Sequence, residues 1–445
     1  MAEKIIKILW FSNTPANGAQ HLGLGGPGSG SWLQTLNVAL QDRVDLHVAF
    51  YHSVDCDFRA GSTRYWAMAR YQNQLQKITA KIGERFFDRV LDEEHLNRYM
   101  FIIEKVKPDV IHVHGSENPF GAIIGKTDVP VVVSIQGLIC SVLNAYNQGL
   151  GERYLRIRNF RFDSLKNALF PTNFNNAKLK FRNMARVEKK NLKNCRYVIG
   201  RTDWDHRITR LLAPQSQYFH NDEIIRNDFF LAQWSVPVRV QTKRVVIHST
   251  ADNVYYKGLE TIVDAIQHLE ELGIQCTWRI AGVDSGDLIV RVLQKRSGFL
   301  FPNDSIVFMG KVPAQKLIES MLAADCYVLT SNIENSPNVL CEAMLLGMPC
   351  IATHVGGVGS FINHGKNGYL VQPGDSYAVA SYIIEMFSNP SKAKTLGLSA
   401  RADAVVRHNP NTIVNNLISI YETIIENQRM HSCQSNQITQ IENAQ

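Results

Sequence analysis

The chain has 445 residues, of which 45% are hydrophobic and 20% charged, with a formal net charge of +7. That length is too great for one hydrophobic core and calls for two or three domains, while the composition is ordinary for a soluble globular protein. The sequence contains no apolar run of about 18 residues, so no transmembrane helix is expected. The N-terminus lacks a signal-peptide pattern, because Lys7 interrupts the apolar stretch and no small-residue cleavage site follows. The eight cysteines (56, 140, 195, 276, 326, 341, 350 and 433) are scattered without a Cys-x-x-Cys pair. Several lie in apolar runs and read as buried free thiols, which points to a reducing cytoplasm.

In chain order, Ile5 to Phe11 reads as a strand, Gly23 to Gly30 as a glycine-rich loop, Ser31 to Leu40 as a helix and Val44 to Phe50 as a second strand. The loop contains a Gly-x-Gly-x-x-Gly match. Its glycines start twelve residues after Phe11, and no acid closes the second strand, so the dinucleotide reading is weak. A flexible loop over a cleft, with Gly25 and Gly26 near donor or acceptor, is the better reading. Further strands end at His114-Gly115, at Gln136-Gly137 and at Gly200-Arg201-Thr202. His112 and His114 alternate on their strand, which we read as placing them on opposite faces. That disfavours both as ligands of one metal and leaves His114 as a cleft-facing candidate.

Val236 to Arg244 has no helical period and reads as a linker, after which the strand–helix alternation restarts. Apolar strands are expected at Val245–His248, Thr277–Ala281, Ser305–Phe308, Cys326–Thr330 and Cys350–Ala352. The expectation is an α/β protein with two doubly wound, Rossmann-like domains, residues 1–235 and 236–408, facing one cleft at their strand ends. Residues 409–427 form a helix with apolar positions 413, 414, 417, 418, 420, 421, 424 and 425, and residues 428–445 form a polar, disordered tail.

The most informative stretch is Glu334-Asn335-Ser336-Pro337-Asn338-Val339-Leu340-Cys341-Glu342. Ser336 suits an N-cap and Pro337 a first helical position, and the helix stops at Gly347-Met348-Pro349. One carboxylate then precedes the helix and the other lies in its second turn. Between them is a helix N-terminus with free N–H groups, an anion site. Tyr255-Tyr256-Lys257-Gly258-Leu259 opens another helix after a strand, placing Lys257 to reach a diphosphate. Gly282, Lys311 and Ser331 sit at further strand ends.

Together with Ala343-Met344-x-x-Gly347-x-Pro349 and the Gly356-Gly357 turn, these motifs resemble retaining glycosyltransferases of family 4, which have the GT-B fold. The resemblance is strong from Val245 to Asp375 and one of layout before that. It implies that Glu334 contacts the donor sugar, Glu342 the ribose, and Ser336, Pro337, Asn338 and Val339 the donor, with Lys257 on the diphosphate. It also implies that the first domain reads the acceptor, with His114, Gln136 and Arg201 as candidates, and that the last helix crosses back onto it. No cofactor and no metal held by an Asp-x-Asp pair is implied.

Two departures stand out. The family's Arg a few residues before Lys257 is missing from His248 to Val254; Arg201, Arg226 and Lys311 are candidate substitutes. Gln136 stands where the family has His, and Gln cannot act as a base.

Residues 153–201 carry fourteen Lys and Arg against only Asp163 and Glu188. This exceeds the whole chain's excess, so the remainder is net acidic. Interleaved Phe and Leu suggest amphipathic helices on an anionic membrane surface, at the inner face. No nucleic-acid-binding module is recognisable. The expected function is transfer of a sugar from a UDP- or GDP-linked donor to a hydroxyl of a glycan or lipid-linked acceptor, with retention, in bacterial surface polysaccharide synthesis. A non-hydrolysing sugar-nucleotide epimerase and a catalytically weak glycan-binding partner remain as rivals.

Overall fold

A computed structural model describes residues 5–23, 31–70, 93–146, 148, 174–237, 244–297 and 305–442. Gly25 and Gly26, and the basic stretch from 153 to 173, lie outside them. The first sheet comprises β1 (Lys7–Ser12), β2 (Asp45–His52), β3 (Cys56–Ala60), β4 (Thr63–Ala69), β5 (Val110–His114), β6 (Val131–Ser134), β7 (Tyr197–Gly200) and β8 (Gln217–His220). Its order is β3-β4-β2-β1-β5-β6-β7-β8, and every pairing is parallel except the β3–β4 hairpin at one edge. The second sheet has β9 (Val245–Thr250), β10 (Cys276–Ala281), β11 (Ile306–Gly310), β12 (Cys326–Leu329), β13 (Cys350–Thr353) and β14 (Tyr369–Val371), in the all-parallel order β11-β10-β9-β12-β13-β14.

Both sheets are covered on both faces, which is why their strands read as continuous apolar runs. On β1, Ile8 and Trp10 pack under the helix Ser31–Leu40 and the last helix, while Leu9 and Phe11 face the helix Glu93–Val106. This is the period-two alternation of a strand. It also corrects the reading of His112 and His114. Residues two apart lie on one face, and their rings stand 3.9 Å apart.

The chain leaves the first core earlier than residue 235. Ile224 is buried in the first domain's core, while Ile225, Phe229 and Trp234 are buried in the second's. The missing helical period at Val236–Arg244 marks irregular chain, but the apolar residues before it decide where the chain packs. The return crossing lies beside the outgoing one. Arg407, ending the helix Pro390–Arg407, donates from Nε to Asp222 Oδ1 (2.7 Å), and His408 Nδ1 bonds the Glu223 carbonyl (2.8 Å).

The last helix, Pro410–Glu442, returns to the first core through Ile413, Leu417, Ile420, Tyr421 and Ile424. It extends through residues 428–442, which were expected to be unstructured. Polarity removes a packing face but not helix propensity, and Gln, Arg and Met without Gly or Pro let the helix continue.

Candidate functional site

The helix Asn338–Leu346 begins on the second sheet's strand ends and is almost wholly buried. Pro337, extended at φ −73° and ψ 104°, occupies its N-cap position, and Ser336 makes no capping bond. The expected cap therefore shifts by one residue. A proline forces the residue before it into extended backbone, so Ser336 lies outside the helix. The Pro337 carbonyl accepts from the N–H groups of Leu340 (2.9 Å) and Cys341 (3.2 Å). The N–H groups of Asn338 and Val339 have no acceptor among the described residues, and the helix dipole adds to their pull on an anion. Gly347, left-handed at φ 80°, ends the helix.

Glu334 and Lys257 meet at 2.6 Å, and Ser331 Oγ donates to the same Glu334 Oε1 at 2.7 Å. Burial acts to lower the Lys257 pKa, but the Glu334 carboxylate outweighs it and the ammonium titrates above its ordinary range. Gly258, left-handed at φ 67°, lets Lys257 sit there: a Cβ on it would stand 2.0 Å from the Thr330 carbonyl oxygen. The Gly356-Gly357 turn supports the other side. Gly357 N–H donates to the Glu334 carbonyl (3.0 Å), and a Cβ on Gly357 would lie 2.0 Å from the Asn335 oxygen.

Glu342 lies in the second turn, paired with Arg226 through Nε (3.0 Å) and Nη2 (2.5 Å). Burial raises its pKa and Arg226 opposes that; the net direction is upward. Arg201 is fully committed elsewhere. It pairs with Glu223 at 2.6 Å and donates to the carbonyls of Ile135 and Gln136, both at 3.0 Å, so it is not a free phosphate clamp. Glu223 Oε2 in turn accepts from Asn338 Nδ2 at 2.9 Å, joining the first domain to the start of the helix. Gly282 N–H is taken by the Gly310 carbonyl (2.7 Å), while Lys311 is exposed and makes no ion pair among the described residues.

On the first domain, His114 is buried, with neither ring nitrogen hydrogen-bonded among the described residues, and packs edge-on with Trp10 and Trp32. It lines a cavity of about 30 Å³ with Ser134, Gln136, Arg201 and Glu223, room for a water or two. His112 has both ring nitrogens hydrogen-bonded: Trp10 Nε1 and His112 Nδ1 both bond the Tyr421 hydroxyl (3.2 and 2.7 Å), and His112 Nε2 meets Ser134 Oγ at 2.6 Å. Complete burial lowers its pKa to about 3.

Two residues escaped the sequence reading. Thr202, whose hydroxyl caps the helix Asp203–Leu212, meets Asn335 Oδ1 at 3.0 Å across the cleft; the Thr-x-x-Asp spacing to Asp205 was its signal. Glu117 folds back over Gly115 at the end of β5, taking a bond from Asn13 at 3.2 Å. Burial pushes its carboxyl up to about 7. Asp-x-Asp spacing also occurs, at Asp55–Asp57 and Asp203–Asp205. Asp55 pairs with Arg98 (3.2 Å) and Asp57 with Arg64 (2.7 Å), whereas Asp205 accepts from Arg201 N–H and Tyr218. Among the described residues no cluster of three acids, histidines or cysteines is placed to hold a metal ion.

Residues 233–403 match the family described as Glycosyl transferases group 1. The chain carries a group 1 glycosyltransferase domain. That domain includes Lys257, Glu334 and Glu342. The chain is 26% identical over 189 residues to N-acetyl-alpha-D-glucosaminyl L-malate synthase of Bacillus anthracis, covering 42% of this chain and 48% of that one. It is 27% identical over 220 residues to the putative colanic acid biosynthesis glycosyltransferase WcaL of Escherichia coli, covering 48% and 52%. The chain thus spans about half the length of the curated relatives it matches. Sucrose-phosphate synthase from Thermosynechococcus elongatus superposes with a TM-score of 0.69 at 17% identity, over 94% of this chain and 99% of that one. Anabaena HepE in complex with UDP does so with 0.58 at 16% identity, over 94% and 100%. The group 1 glycosyltransferase domain and the sheet before it together make a GT-B fold.

Proposed function

We propose that this protein transfers a sugar from a nucleotide-diphosphate donor to a hydroxyl of a glycan or lipid-linked acceptor. The observation that carries the reading is the convergence on one helix N-terminus of two free N–H groups, the Lys257 ammonium and the carboxylates of Glu334 and Glu342. As the donor's anomeric C–O bond breaks, negative charge grows on the diphosphate. The N–H groups of Asn338 and Val339, with Lys257, stabilise it where little water competes. Glu334 accepts from donor-sugar hydroxyls and Glu342 from the ribose.

With retention, the acceptor oxygen bonds the anomeric carbon on the face the diphosphate leaves, and the acceptor proton passes to a leaving phosphate oxygen. No protein base is needed, in keeping with Gln136. Relatives in colanic acid and amylovoran synthesis support a surface-polysaccharide acceptor.

Calorimetric titration with UDP and GDP, then product analysis with a panel of nucleotide sugars, tests this. Binding of neither nucleotide would end the reading. A donor epimerised without transfer would favour the epimerase alternative.

Attachment to an anionic membrane is proposed on the helix Phe174–Leu192, whose Lys180, Arg182, Lys189 and Lys190 are exposed. No helix among the described residues is long and apolar enough to cross a membrane. Co-sedimentation with anionic vesicles that falls as salt rises is the expected result; failure to bind at low salt would remove this part.

A further inference from the structure

Glu342 is held by one oxygen. Arg226 directs both Nε and Nη2 to Oε1, and no described residue donates a hydrogen bond to Oε2. The guanidinium is itself fixed, stacked 4.8 Å from the centre of the fully buried Phe229 ring. Only a planar fork can place two donors on one carboxylate oxygen in this way, and a lysine there would supply a single point of charge. Arg226 follows Ile224 and Ile225, where the chain passes from one core to the other. Flanked by Ile225 and Phe229, both buried in the second domain's core, Arg226 is anchored in the same domain as Glu342, just past the crossing.

We propose that Arg226 is a positioning residue for nucleotide recognition, turning Glu342 so that Oε2 faces the ribose hydroxyls of a bound nucleoside diphosphate. This rests on the nucleotide-sugar reading above. Arg226 acts through Glu342 and touches no ligand.

The groups facing Glu342 are Arg226 from the crossing and the buried Tyr327 phenol from β12, whose own pKa burial drives far up. Arg226 is thus the one cation favouring the ionised form of Glu342 among the described residues that act on it. Its removal raises the carboxyl further, so the acid edge of nucleotide binding moves to higher pH.

The experiment measures calorimetric affinity for whichever of UDP and GDP the unaltered protein binds, and for its 2′-deoxy form, from pH 5 to 8. Arg226→Gln is expected to weaken the ribonucleotide about tenfold, equivalent to one good hydrogen bond to a charged group, and to leave the deoxy form within about twofold. Its acid edge should rise, and Arg226→Lys should restore the edge but only part of the ribose preference. Equal weakening of both nucleotides, or an unmoved edge, would overturn the inference while leaving the nucleotide reading intact. Should Arg226→Gln melt early, Arg226→Lys decides alone: ribose preference equal to the parent's would overturn it. An unaltered protein that binds no nucleotide overturns the reading and this inference together.

Discussion

Lys257 and Glu334, 77 positions apart in sequence, form a 2.6 Å ion pair with both side chains largely out of water. Removing one partner strands the other charge. Glu334→Gln or Lys257→Met alone is therefore expected to cost about 1–3 kcal/mol, and the double variant less than the two together. Denaturant melts of the four proteins check this, and additive losses would contradict the pairing. If the pair serves a donor, Glu334→Gln retains nucleotide binding and loses turnover.

Gly357→Ala should disturb the same site from behind. Its φ of −87° suits any residue, so the cost comes from space: the added Cβ meets the backbone oxygen of Asn335. A carbonyl cannot swing aside as a side chain can, and about 1–3 kcal/mol of overpacking is expected. Gly286→Ala, with nothing near its Cβ, is the control. Equal melting temperatures for the two variants would sink the prediction.

Acid should destabilise the protein through its buried histidines. His112 falls from an ordinary 6.5 to about 3, His248 to about 3 and His408 to about 4, each because burial disfavours the charged form. The unfolded chain takes up these protons below pH 6.5 and the folded chain does not. Stability is therefore whole above that pH and is lost as pH falls toward 3, by up to about 1.4 kcal/mol per pH unit for each such residue. Urea midpoints between pH 7.5 and 5 measure the slope. His112→Asn should flatten it, and an unchanged slope would show that His112 is not one of the groups responsible.

Tyr421→Phe removes the hydroxyl shared by Trp10 and His112, leaving two buried nitrogens unpaired. A loss of about 1–3 kcal/mol is expected, with faster hydrogen exchange in β1 and β5. Exchange that speeds up only in the last helix would mean that the contact is peripheral.

The strands that read clearly in the sequence were the long apolar runs β1, β2, β5 and β9, because burial on both faces leaves a signal that composition alone carries. β3, β4, β8 and β14 escaped. Arg59, Arg64, Gln217 and His220 break the apolar runs of the edge strands β3 and β8 and of β4 beside the edge, and β14 spans only Tyr369–Val371. At the site, Glu334, Glu342 and Lys257 were legible since a helix start and its glycines are local grammar. Arg226 was legible as a candidate cation, but the pairings of Arg226, Glu223 and Thr202 were not. Their partners lie 116, 115 and 133 residues away, and nothing in a local window records a pairing made at that distance.

The chain crosses between the domains twice, at Ile224–Ile225 and at His408, and Arg407–Asp222 clips the two passages together. Two strands of covalent chain side by side define an axle. Sliding and twisting of one domain over the other are opposed by two backbones at once, leaving a single swing as the soft degree of freedom. A protease cut in one passage would leave the halves joined through the other, still able to swing but with a slacker bearing.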